Sequence, residues 1–214
     1  MTNVSKRVEV GRKAMKITIL YDNNALPGFE SGWGFSCLVD SNRRILFDTG
    51  DDGNKLVHNF DKANVNPKSV NKVVLSHNHW DHVDGLEGFR KFNSEAEIIH
   101  PNDFSEPVEI SAGIYTTGAL GALPKEQSLI VKTEKGNIVI TGCAHPGLER
   151  ILRTAGRLGR IYGVLGGFHG FSKFTELEGI QLIAPCHCTQ HTEQIKHKFP
   201  TQFKQIQAGS VIEV

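Results

Sequence analysis

Long apolar runs are missing from this 214-residue chain. None approaches the roughly 18 residues needed to cross a bilayer, which argues against a helical membrane span. The opening MTNVSKRVEVGRKAMK holds no apolar core of the secretory kind, so the expected location is the cytoplasm. A surplus of one charge is missing too: 24 Lys+Arg face 23 Asp+Glu, leaving +1 with His neutral. The basic residues are scattered, and sequence-independent binding to nucleic acid draws on clustered ones. A nuclease of long RNA or DNA is therefore disfavoured. Cysteine is scarce, at positions 37, 143, 186 and 188. That fits buried or metal-proximal thiols better than a disulfide framework. Methionine stands only at positions 1 and 15. Strand-like sequence begins just after Met15, so residues 1–14 read as a poorly ordered extension. No repeat, linker or low-complexity tract divides the rest, so 15–214 read as one domain.

What the chain does have is clustered histidine. His77-Asn78-His79-Trp80-Asp81-His82 packs three imidazoles and a carboxylate into six positions, H-x-H-x-D-H. Imidazole nitrogen and carboxylate oxygen are ligands for zinc and other first-row divalent ions. Two pairs, His77-x-His79 and Asp81-His82, can face two neighbouring ions. Lys72-Val-Val-Leu75 is an apolar strand running straight into His77, which puts the motif on a loop at a strand end.

Strands are expected around Ile17–Tyr21, Phe35–Val39, Arg44–Phe47, Glu97–His100, Gly113–Thr116, Ser128–Lys132, Asn137–Thr141, Ile161–Leu165 and Gln181–Ala184. Asp40-Ser-Asn-Arg43 reads as a hairpin turn. Leu56, Val57, Phe60 and Ala63 recur at helical spacing, as do Leu148, Ile151, Leu152, Ala155 and Leu158. Shorter helices are expected at Leu86–Phe89 and Ile195–Phe199. This mixture alone gives only an α/β class. Two further histidines fall just past strands: His145 in Thr141-Gly-Cys-Ala-His-Pro-Gly147, and His187 in Ala184-Pro-Cys-His-Cys188. Strand alternation points Cys186 and Cys188 to the opposite side from His187. Gly28 to Gly34, with Phe29 and Trp33, is an aromatic loop that either covers the site or caps the sheet.

The H-x-H-x-D-H string resembles the signature of the metallo-β-lactamase superfamily. The resemblance implies an αβ/βα four-layer sandwich, with two mixed β-sheets flanked by helices. It assigns His77, His79 and His145 to one divalent ion, and Asp81, His82 and His187 to a second. It makes Asp48, in Leu46-Phe-Asp-Thr-Gly50, a carboxylate supporting a ligating histidine. Relatives carry a bridging Asp at a later strand end, where this chain reads Leu165-Gly-Gly-Phe-His169. His169 is then a further ligand or a substrate contact. Leu75–His82, Glu126–Leu129, Thr141–Gly147, Gly166–His169 and Pro185–Thr189 resemble a narrower branch, the dihydropterin–(ribofuranosyl)aminobenzene phosphate synthase-like proteins. Only residues 83–144 separate the first motif from His145, a shorter interval than in that branch.

The expected activity is a binuclear metal-dependent hydrolase of a small anionic, phosphoester-type substrate. Two ions, zinc first with iron or manganese as alternatives, activate water, and Asp81 orients it. The branch resemblance implies the alternative, a pterin-condensing transferase. A di-iron redox protein is less favoured, because such relatives carry Glu where this chain has His79 and add a flavin domain. A non-catalytic metal-dependent binding protein is the remaining reading.

Overall fold

The computed structural model describes residues 15–214. The expected extension, residues 1–14, lies outside them. The chain builds two six-stranded sheets from consecutive halves. The first contains β1 (Lys16–Tyr21), β2 (Ser36–Asp40), β3 (Arg44–Phe47), β4 (Val70–Val74) and β5 (Glu97–Ile99), joined by the last strand, β12 (Val211–Glu213). Its order is β12-β1-β2-β3-β4-β5. The second contains β6 (Val108–Ser111), β7 (Ile114–Thr116), β8 (Leu129–Thr133), β9 (Gly136–Thr141), β10 (Ile161–Gly167) and β11 (Leu182–Cys186). Its order is β11-β10-β9-β8-β7-β6. In each sheet three strands run parallel, β3-β4-β5 and β9-β10-β11, and the rest antiparallel.

Alternation along the strands decides how these layers stack. Ile17, Ile19, Cys37, Val39, Ile45 and Phe47 of the first sheet meet Leu129, Val131, Ile138, Ile140 and Leu165 of the second in one buried cluster. The opposite faces need helices, because they are apolar as well. Leu20, Leu38, Leu46 and Val73 pack under α1 (Gly53–Lys62), with Leu56 and Phe60 inward, and against Phe89 of α3 (Leu86–Arg90). Ile130, Val139, Val164 and Ile183 pack under α4 (Leu148–Gly156) and α5 (Thr192–Lys198) through Leu148, Ile151, Ala155 and Ile195. The result is the expected four-layer αβ/βα sandwich. Asp52 caps α1 by accepting from the Asn54 and Lys55 N–H groups, which sets where that helix begins.

Local differences from the sequence reading have physical causes. The H-x-H-x-D-H segment is not loop throughout: Trp80–Val83 form a single helical turn, α2. Strand β6 escapes the apolar pattern, because its residues Val108-Glu-Ile-Ser111 are at best half-buried at this edge. Past α5 the chain returns to the second sheet only at a single parallel bridge between Ile183 and Phe203.

Candidate metal centre

Strand ends of both sheets converge on one side. β1 delivers Asp22 and Asn23, β3 delivers Asp48, and β4 delivers Ser76 and His77. β9 delivers Cys143 and His145, and β11 delivers His187 and Cys188. Asp48, Ala144, His169 and His187 all sit at positive φ, 57°, 60°, 46° and 52°. Non-glycine residues avoid that region, and such strain gathers at functional sites. Each kink turns the chain sharply just past a strand end.

The six expected donors fall into two groups. His77, His79 and His145 form one, and Asp81, His82 and His187 the other, with the donor atoms of each group within 4.8 Å of one another. The rings crowd closely. The His77 centroid lies 4.5 Å from His79, 4.3 Å from His82 and 4.6 Å from His145.

In most of these rings Nδ1 is anchored and Nε2 faces inward. His77 Nδ1 is 2.9 Å from Ser76 Oγ. His82 Nδ1 is 2.7 Å from Asp48 Oδ2. His145 Nδ1 is 2.9 Å from Glu126 Oε2, and His187 Nδ1 is 3.0 Å from Asn23 Oδ1. Asp48 also accepts the Ser76 N–H at 2.6 Å and the Ser76 hydroxyl at 2.7 Å. Gly142 makes that approach possible: a Cβ there would clash with Ser76 Oγ. Glu126 accepts the N–H groups of Cys143, Ala144 and His145 as well.

Electrostatics follow from this wiring. Burial lowers His77 to about 2, with the neighbouring His82 adding to the shift. Burial likewise lowers His79. Burial works to raise Asp81, but the imidazoles of His187 and His82 beside it hold it well below the usual carboxylate range. Burial opposes charge on His82, yet the Asp48 carboxylate raises it. Glu126 is held down to about 2: burial works against its charge, and the bonds from His145 and the surrounding N–H groups outweigh it.

Sequence reasoning missed Glu126, Asn23, Ser76 and Asp22 as supports. Asp22 accepts the His187 N–H at 2.9 Å. Cys188 is a correction. Strand alternation stops at Cys186, and left-handed His187 reverses the chain, so the Cys188 sulfur joins Cys143 and His187 at the site. Cys186 does point away, into the core between the sheets. The aromatic loop lies beside the site: the Trp33 ring is 5.7 Å from His187. His169 falls outside the clusters of possible ligands among the described residues. It is exposed, 5.2 Å from the His145 ring, and lines a cavity of about 440 Å³ with His145, Leu123, Phe171 and Lys173.

Comparison with known proteins follows the same lines. A family model described as the metallo-β-lactamase superfamily matches residues 34–127. An uncharacterised protein of Methanocaldococcus jannaschii is 30% identical, the match covering 72% of this chain and 78% of that one. A solved structure described as a metal-dependent hydrolase of the β-lactamase superfamily is 27% identical with a TM-score of 0.78, covering 94% of this chain and 99% of that one. The chain belongs to the metallo-β-lactamase superfamily. It is also 26% identical to the 7,8-dihydropterin-6-methyl-4-(β-D-ribofuranosyl)-aminobenzene-5′-phosphate synthase of M. jannaschii, over 86% of this chain and 90% of that one.

The superfamily fold typically binds divalent metals, and the donors here suit that. Among the described residues, His77 Nε2 and His187 Nε2 are buried without a hydrogen-bond partner. Buried polar atoms are rarely left so, and a cation held here would supply the missing partner. Asp81 Oδ2 stands 3.3 Å from His187 Nε2 and 3.8 Å from His82 Nε2. The second distance is too long for a hydrogen bond. Nitrogen and oxygen ligands of one tetrahedral zinc stand about 3.4 Å apart, given bonds of ~2.1 Å. Among the described residues no helix is long and apolar enough to cross a membrane.

Proposed function

We propose that this protein is a binuclear metal-dependent hydrolase of a small anionic, phosphoester-type substrate. The observation that carries this reading is the pair of donor groups, with Nδ1 anchored on four of the five rings and Nε2 left facing inward. His77, His79 and His145 would hold one divalent ion, and Asp81, His82 and His187 the other. Zinc suits this nitrogen-rich set, with iron and manganese as alternatives. When bound, such a pair supplies Lewis acidity that makes water nucleophilic at neutral pH and offsets negative charge.

The chain's own residues do the rest. Asp48, Glu126, Ser76 and Asn23 fix the imidazole orientations, so the donors need not reorganise on binding. Asp81 is ionised and 7% exposed, placed to accept a proton from water at the edge of the site. His169 faces the substrate rather than an ion, because it borders the cavity beside His145. The donor set carries one formal negative charge, on Asp81, which leaves a dicationic pair with surplus positive charge. That surplus favours anionic substrates.

A second reading is the pterin-condensing transferase. The relative of that name supports it, as do Trp33 and Trp80, both more than half exposed around the site. The alignment to that synthase spans 264 positions, more than the 214 residues present, so the synthase has segments that this chain lacks. The deciding experiment incubates zinc- or manganese-loaded protein with phosphomonoesters, phosphodiesters, lactones, β-lactams and a pterin pyrophosphate. Phosphoester turnover abolished by Asp81→Asn supports the hydrolase. Turnover of the pterin pyrophosphate alone, with an arylamine acceptor, supports the transferase.

A further inference from the structure

Two thiols stand at the centre with no role so far. Cys143 is 4% exposed, and its Sγ lies 3.2 Å from His82 Nε2. It clusters with His77 and His82 on one side and with His187 and Cys188 on the other, each set of donor atoms within 4.8 Å. The sulfur therefore faces both groups of donors. A cysteine serving as apolar filler lies in the core, as Cys37 and Cys186 do. Cys143 instead faces an imidazole nitrogen, and the Cys188 thiol beside it donates to the Cys143 carbonyl oxygen at 3.9 Å.

The neighbouring strand end leaves this place to sulfur. β10 finishes on Gly166-Gly167 and offers no donor. A Cβ on Gly167 would stand 2.8 Å from Cys188 Sγ and collide with the Gly142 carbonyl. Charge points the same way. Asp48 and Glu126 are spent behind imidazole rings, so Asp81 alone offsets four positive charges of two divalent ions. Nitrogen and sulfur ligands of one tetrahedral zinc stand about 3.5 Å apart, given bonds of ~2.0 and ~2.3 Å. The His82–Cys143 separation is close to that.

We propose that Cys143 is a seventh ligand, its thiolate facing both groups of donors. This rests on the metal-centre reading above. Coordination releases the thiol proton to solvent. The centre keeps a net positive charge, so the preference for anions stands. A soft sulfur donor favours zinc, iron or cobalt over magnesium, calcium or manganese.

The test uses the full chain stripped with chelator and reloaded with cobalt(II) alone. The expected result is a near-ultraviolet thiolate-to-cobalt charge-transfer band, lost in Cys143→Ser and kept in Cys188→Ser. Should Cys143→Ser fail to fold, X-ray absorption of zinc-loaded Cys188→Ser, in which Cys143 is the one thiol left among the clustered donors, still decides. A sulfur neighbour at about 2.3 Å is expected. Cobalt or zinc bound with only nitrogen and oxygen neighbours overturns the role of Cys143 and leaves the metal centre standing. No metal bound by the parent overturns both.

Discussion

Replacing Glu126 with glutamine keeps the shape and removes one acceptor oxygen. Glu126 is 1% exposed, so water cannot compensate. Oε1 accepts from the N–H groups of Cys143 and Ala144 at 2.9 and 2.8 Å. Oε2 accepts from the N–H and Nδ1 of His145, both at 2.9 Å. Whichever way the amide turns, its NH2 meets two donors and two charge-assisted bonds are lost. At about 1.5–3 kcal/mol each, the loss is about 3–6 kcal/mol. A domain is stable by about 5–15 kcal/mol in total, so the variant should fold but weakly. The His145 ring also loses its anchor when the NH2 faces it, and loss of such a partner typically lowers metal affinity about 10- to 100-fold. Guanidinium unfolding of chelator-treated protein reads the first effect, and zinc titration the second. If midpoint and zinc affinity both match the parent's, Glu126 neither holds the loop nor positions His145.

Other expectations follow from the same wiring. Asp48→Asn should bind zinc about 10- to 100-fold more weakly, because the His82 Nδ1 proton loses a charged acceptor; an unchanged titration would leave Asp48 as a turn residue only. His77→Ala and Asp81→Ala should each lose metal measurable by elemental analysis, since each belongs to a different donor group. His169→Ala should keep full metal content and lose turnover or substrate affinity, and lost metal would instead make it a ligand. Stability of the metal-free protein should fall with acid. His77 stays neutral down to about 2 in the folded chain, against an ordinary value of 6.5. The unfolded chain therefore gains a proton first, and stability drops as pH falls below about 6.5, by up to about 1.4 kcal/mol per pH unit. His77→Gln should flatten that slope in acid-unfolding curves at fixed denaturant.

How much of this could be read from the chain depended on distance along it. H-x-H-x-D-H is local, and its four donors follow from one strand end. His145 and His187 were legible because each follows an apolar strand. Their partners were not, since Glu126 is delivered from the approach to β8 and Asn23 from the end of β1. Nothing in the spacing of a glutamate ahead of one strand and a histidine beyond another says that they meet. The Cys188 error has a single cause. Period-two alternation holds inside a strand, and a left-handed residue at its end inverts it.

The donors of each group come from both sheets. His77 and His79 belong to the first half of the chain and His145 to the second, while Asp81 and His82 are matched by His187. An ion held by either group is then a staple across the sandwich, closing a long loop much as a disulfide would. A disulfide spanning about 100 residues restricts the unfolded chain by about 4–5 kcal/mol. The tie here is reversible and set by free metal concentration. Chelator should therefore loosen one leaf of the molecule from the other, so that amides of both inter-sheet faces lose protection from hydrogen exchange together when metal is withdrawn.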